Sequence, residues 1–167
     1  LEFRRVLFRS KWALYSAGHA NLDTNKFDAK EDMVRNRDAN SFVLGDSGGF
    51  QIGKGVWEGE WNDPTGPEVT QRMADAVARG VEIIPVLDKN GSPVLDKNGN
   101  PKVTKIDHVK NYQAKLDAAQ KKREQVLAWM DAYMDRGMIL DIPAWVGRMP
   151  NGPRATGITS YEDAVNG

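Results

Sequence analysis

The chain has 167 residues, no cysteine, 40% hydrophobic and 28% charged residues, and a formal net charge of zero. That is length enough for one domain with its own core, and the lack of cysteine excludes disulfides and thiolate metal sites. No apolar run approaches the roughly 20 residues that cross a bilayer, no secretory signal opens the chain, and charge balance withholds the bulk basicity of many nucleic-acid binders. A cytoplasmic, non-membrane protein is expected.

Residues 1–10, LEFRRVLFRS, read as a translated sequencing-adapter oligonucleotide fused in frame, or else as an amphipathic terminal strand or helix. Removing three arginines and one glutamate from 23 basic and 23 acidic residues leaves a net charge of roughly −2. Residues 11–167 are then the domain proper. Trp12–Ser16 (WALYS) predicts a strand closed by Ala17-Gly18. The polar stretch 21–40 predicts loop with a short helix around 29–37. Phe42-Val43-Leu44-Gly45 is a second strand, and it delivers Asp46 into a glycine loop. Residues 52–67, rich in glycine and proline, read as loop. Thr65 and Glu68 have capping-box spacing ahead of a helix that ends at Gly80.

An internal repeat follows. VLDKNGSP at 86–93 is almost copied as VLDKNGNP at 94–101. Asn-Gly between extended segments signals a tight turn, so 81–103 predicts a β-hairpin arm, an insertion spanning about 81–106. A calcium loop fits poorly, because the glycine comes too early and no distal glutamate completes the set. Asp107 caps a long amphipathic helix to about Arg136, with Val109, Tyr112, Leu116, Ala119, Val126, Met130 and Tyr133 at three- and four-residue steps. Residues 138–142, MILDI, then read as a buried strand carrying Asp141 and stopped by Pro143. Thr159 and Glu162 begin another capping box that has no room to become a full helix, so a longer parent protein is expected.

Two apolar strands thus each present an aspartate, Asp46 and Asp141, with helices between them. In a (β/α)₈ barrel, side chains at the carboxyl ends of parallel strands converge on one site. Taken alone, Asp46 reads sooner as a turn aspartate satisfied by backbone N–H groups. Its surroundings argue otherwise. The string Asp46-Ser47-Gly48-Gly49-Phe50-Gln51 resembles the active-site signature of the tRNA-guanine transglycosylase superfamily, whose relatives include phage and bacterial DNA-guanine transglycosylases. Leu140-Asp141-Ile142-Pro143 resembles that family's second base-recognition segment. The interval between the two is longer than in the family, and the repeated arm accounts for the excess.

The resemblance implies an α/β fold: part of a (β/α)₈ TIM barrel with an inserted β-hairpin arm. It also implies exchange of guanine for a 7-deazaguanine in tRNA, or in DNA for the phage type. Asp46 would contact the base and help move its proton. Ser47, Gly48, Gly49 and Gln51 would line the pocket, Phe50 would stack on the purine, and Asp141 would read its Watson–Crick edge. Partners are then a nucleic acid and a 7-deazaguanine base, with a dimer possible in the full-length protein. The family's sugar-attacking aspartate and cysteine-rich zinc site belong to later segments. No metal or cofactor is therefore expected here, and base exchange by this chain alone is expected to fail.

Three other readings compete. A catalytically silent base-binding or partner subunit would need the same pocket. Gly45-Asp46-Ser47-Gly48-Gly49 also resembles the nucleophile segment of chymotrypsin-like serine proteases, but the required histidine would lie far upstream and only His19 precedes Ser47. Lys54, Trp57 and Trp61 would either touch a nucleic-acid strand or pack the loop against the rim. His19 reads as a structural hydrogen-bonder, and 121–123 (Lys-Lys-Arg) as a solvated helix face.

Overall fold

The computed structural model describes residues 11–26, 29, 32–138 and 156. Residues 1–10, Asp141 and the capping box at 159–162 lie outside them. The described chain is mixed α/β and contains no closed barrel.

β1 (Trp12–Ser16), β2 (Phe42–Asp46) and β5 (Arg136–Gly137) form a parallel sheet in the order β1-β2-β5. Trp12 pairs with Phe42 and Ser16 with Asp46, so both strands end level. β5 docks on β2, where Leu44 faces Arg136, and Met138 N–H donates to Gly45 O at 2.9 Å. Entry to β5 is fixed by Asp135. Its Oδ2 accepts from Val43 N–H at 2.7 Å and from Arg37 Nη2 at 2.9 Å, while Arg37 Nη1 donates to Tyr133 O. The strand read at 138–142 thus begins earlier, at Arg136; its residues 139–142 are among those not described.

Period-two alternation gives the sheet two unlike faces. Val43 and Gly45 turn toward α4 (His108–Tyr133), where Ala17, Val126, Trp129 and Met130 form the core. Gly45 and Gly137 let the helix approach closely. A Cβ on Gly45 would sit 2.8 Å from Met134 Cγ, and one on Gly137 would sit 2.6 Å from Met130 Sδ. Trp12, Leu14, Phe42, Leu44 and Asp46 share the opposite face. There Trp12 and Leu14 are 67% and 63% exposed, and the Trp12 and Phe42 rings pack 4.6 Å apart.

α1 (Asp32–Arg35) is a single turn, shorter than the helix read at 29–37. α3 (Pro67–Arg79) packs along α4, but its N-cap is Gly66, not Thr65. Asp63 Oδ1 captures both the N–H and the hydroxyl of Thr65 at 2.8 Å, leaving Pro67 at the first helical position, where its missing N–H costs nothing. Asp107 does cap α4, accepting from Lys110 N–H at 3.0 Å. Between these helices, β3 (Val81–Pro85) and β4 (Val103–Asp107) pair antiparallel as the stem of an arm.

Candidate functional site

β2 ends at Asp46 on the open face, and the chain then turns through Ser47 and Gly48 into α2 (Gly49–Gly53), a helical turn where the sequence reads as loop from residue 52. Gly48 makes the turn possible. It adopts φ 81° and ψ 23°, a conformation that L side chains avoid. A Cβ there would also lie 2.6 Å from Trp57 Cη2 and 3.1 Å from Gly18 N.

The loops after β1 and β2 interlock. Ala17 N–H donates to Asp46 O at 2.8 Å, and Gly18 N–H donates to Ser16 Oγ at 3.2 Å. The Gln51 amide occupies the space where Gly18 would carry a side chain, its Cδ 1.9 Å from the position of a Cβ. Gln51 O accepts from Val56 and Trp57 N–H at 2.9 and 3.3 Å, tying the following loop down. Gln51 Oε1 is buried and, among the described residues, has no hydrogen-bond partner. A buried acceptor without a donor costs about 1–3 kcal/mol, so a bound N–H at this point would recover that loss.

The side chains of this turn differ sharply in access. Ser47 is 3% exposed, and Phe50 is 51% exposed with the Lys54 ammonium 4.4 Å from its ring centre. No described residue donates a hydrogen bond to the Asp46 carboxylate, whereas Asp23, Asp63, Asp88 and Asp96 each accept from nearby backbone N–H groups. Asp46 is therefore not held as those turn aspartates are. Ser47, by contrast, has no histidine bonded to it among the described residues. His108 Nε2 is 3.1 Å from Glu82 Oε2 in the arm, and His19 sits on the β1 loop, its N–H donating to Ser16 O. A buried serine without a base is a poor nucleophile.

Asp46, Ser47, Gly48, Gly49, Phe50 and Gln51 thus occupy one strand end and the turn beyond it, whereas the position of Asp141 is not described. Of the nearby tryptophans, Trp61 is buried, donating from Nε1 to Trp57 O at 3.0 Å with the Arg123 guanidinium 5.3 Å from its ring centre. Trp57 is half-buried against Gly48, with Lys122 Nζ 5.2 Å from its ring. Both serve packing. The Gln51–Gly18 seat went unread, because its only sequence signal is a small residue after each strand. No group of three or more potential metal ligands gathers among the described residues, and no described helix is long and apolar enough to cross a membrane. Comparisons with protein-family models, curated proteins and solved structures found no match to the chain.

Proposed function

We propose that this chain forms the base-recognition part of a transglycosylase that exchanges guanine for a 7-deazaguanine in tRNA, on a partial (β/α)₈ barrel. One observation carries the reading. Asp46, at the carboxyl end of a parallel strand, keeps a carboxylate without a donor among the described residues, and the exposed Phe50 ring follows four residues later. Guanine presents N–H donors along its Watson–Crick edge and a flat face. A carboxylate accepts the first, and an aromatic ring stacks on the second for about 1–3 kcal/mol.

The strand order supports the barrel. β1, β2 and β5 follow one another across the sheet without reversal, as in a singly wound barrel, and among the described residues the long helix α4 packs on one face. The face bearing the exposed side chains of Trp12 and Leu14 then corresponds to the inner wall of such a barrel. In the reaction, Asp46 holds the base and shuttles its proton, and Phe50 keeps it flat after it leaves the nucleic-acid stack. Covalent attack on the sugar falls to an aspartate on a later strand. DNA in place of tRNA needs the same pocket.

Base binding separates this reading from a protease or a generic fold. Equilibrium dialysis with radiolabelled bases should show retention of guanine and 7-deazaguanine but not adenine, whose Watson–Crick edge offers an acceptor where guanine offers a donor. Equal retention of adenine would refute it.

A further inference from the structure

The arm between α3 and α4 carries four carboxylates, Glu82, Asp88, Asp96 and Asp107, and four lysines, Lys89, Lys97, Lys102 and Lys105. By count it is neutral. In space the two sets are used differently.

All four carboxylates serve the arm's own architecture. Asp88 Oδ1 accepts from Asn90 and Ser92 N–H at 2.8 and 2.9 Å, and Asp96 Oδ1 repeats the pattern with Asn98 and Asn100 at the same distances. These backbone donors hold the Asp96 carboxyl below its ordinary range. Glu82 pairs with His108, and Asp107 caps α4. Each acid thus keeps its charge but has oxygens turned to N–H donors or to the His108 ring, within the arm or at the start of α4.

The lysines have no such use. All four are exposed, and none makes an ion pair with a described residue. The repeat sets them apart from one another. Val94 N–H donates to Val86 O at 2.8 Å, Lys102 N–H to Val94 O at 2.7 Å, and Val86 N–H to Lys102 O at 2.9 Å. This closed ring divides the tip into two equivalent lobes. Gly91 and Gly99 turn the lobes at φ 81° and 83°, and Lys89 and Lys97 occupy the same position in each. Lys102 and Lys105 continue along the stem.

We propose that the arm is a nucleic-acid clamp in which Lys89, Lys97, Lys102 and Lys105 contact backbone phosphates while the Asp46 loop takes the base. The expectation of a nucleic acid, as opposed to another polyanion, rests on the base-exchange reading.

The test measures binding of the whole chain to a fluorescein-labelled RNA hairpin and a labelled DNA duplex across a fourfold range of salt. Four phosphate contacts contribute about −3.6 to the slope of log K against log salt on duplex DNA, or roughly a hundredfold in affinity over that range. The quadruple variant K89Q/K97Q/K102Q/K105Q should lose that part of the slope, and the matching arginine variant should retain it. Since these side chains are exposed, circular dichroism should be unchanged in both. Unaltered slope and affinity in the glutamine variant would overturn the clamp, as would lysine-dependent binding to phosphatidylserine vesicles without binding to either nucleic acid. Base dialysis reads the Asp46 loop separately. Retained guanine with an unaltered slope removes the clamp alone, whereas a lost slope without guanine retention removes the base-exchange reading alone.

Discussion

Gly48 is the position at which the local geometry makes its sharpest quantitative demand. Replacing it with alanine imposes two penalties. A residue with a Cβ at φ 81° costs about 1–2 kcal/mol in backbone strain. The new methyl would also lie 2.6 Å from Trp57 Cη2 and 3.1 Å from the Gly18 nitrogen, and forcing a tight site apart costs about 1–3 kcal/mol more. Gly91 provides the internal control: its φ is also 81°, but a Cβ there meets nothing within 4 Å. Gly48→Ala should therefore destabilise by about 2–5 kcal/mol and Gly91→Ala by at most about 1–2 kcal/mol. Urea titrations followed by tryptophan fluorescence measure both, and local opening of the arm would only reduce the apparent cost at Gly91. Equal losses would show that Gly48 is not seated against Trp57 and that the two strand-end loops do not interlock.

Other consequences follow from the packing around the site. Glu60 is 3% exposed and accepts two hydrogen bonds from Arg72 Nη1, one from the Tyr112 hydroxyl and one from Asn62 Nδ2. Glu60→Gln should cost about 3 kcal/mol in urea, the low end of buried-pair losses, because Arg72 keeps some contact with water. Burial first, and the Glu60 charge second, push the Tyr112 phenol up to about 12. Ultraviolet titration of wild type against Tyr112→Phe should show this phenol ionising well above the ordinary tyrosine range, and earlier in Glu60→Gln. The Val43 N–H, with the Arg37 guanidinium behind it, holds the Asp135 carboxyl below its ordinary value. A lowered carboxylate contributes stability above its unfolded-state pKa and loses it as pH falls through the folded value. Wild type should therefore lose more stability than Asp135→Asn on acidification below about pH 4, and parallel acid melts would contradict the role of Asp135 at the β5 entry.

What could be read from the chain was local. Phe42-Val43-Leu44 is a strand because aromatic and branched residues run straight into a glycine turn, and Asp107 advertises its cap. The two Asn-Gly pairs announce turns whose glycines do take positive φ. What escaped depends on contacts distant in sequence. Thr65 has the residue type of a cap but loses the role to Gly66, because Asp63 reaches it first. Trp129 is fully buried yet lies between the apolar steps read along α4, since the sheet covers a broader face than a narrow stripe. Gly45 and Gly137 look like ordinary strand glycines until Met130 and Met134 are placed above them. The Arg37–Asp135 pair joins residues 98 positions apart and has no local signature. In the site, the signature string marked the turn, but the seating of Gln51 against Gly18 required the pairing of β1 with β2.

Calorimetric titration of wild type and Asp46→Asn with a 7-deazaguanine base tests the central claim most directly. Asp46→Asn keeps the size of the side chain but removes the charge and one acceptor. Hydrogen bonds to charged groups contribute about 1.5–3 kcal/mol, so the variant should bind roughly ten- to a hundredfold more weakly while folding unchanged. Equal affinity in the two proteins, or no heat with either, would contradict base recognition by Asp46.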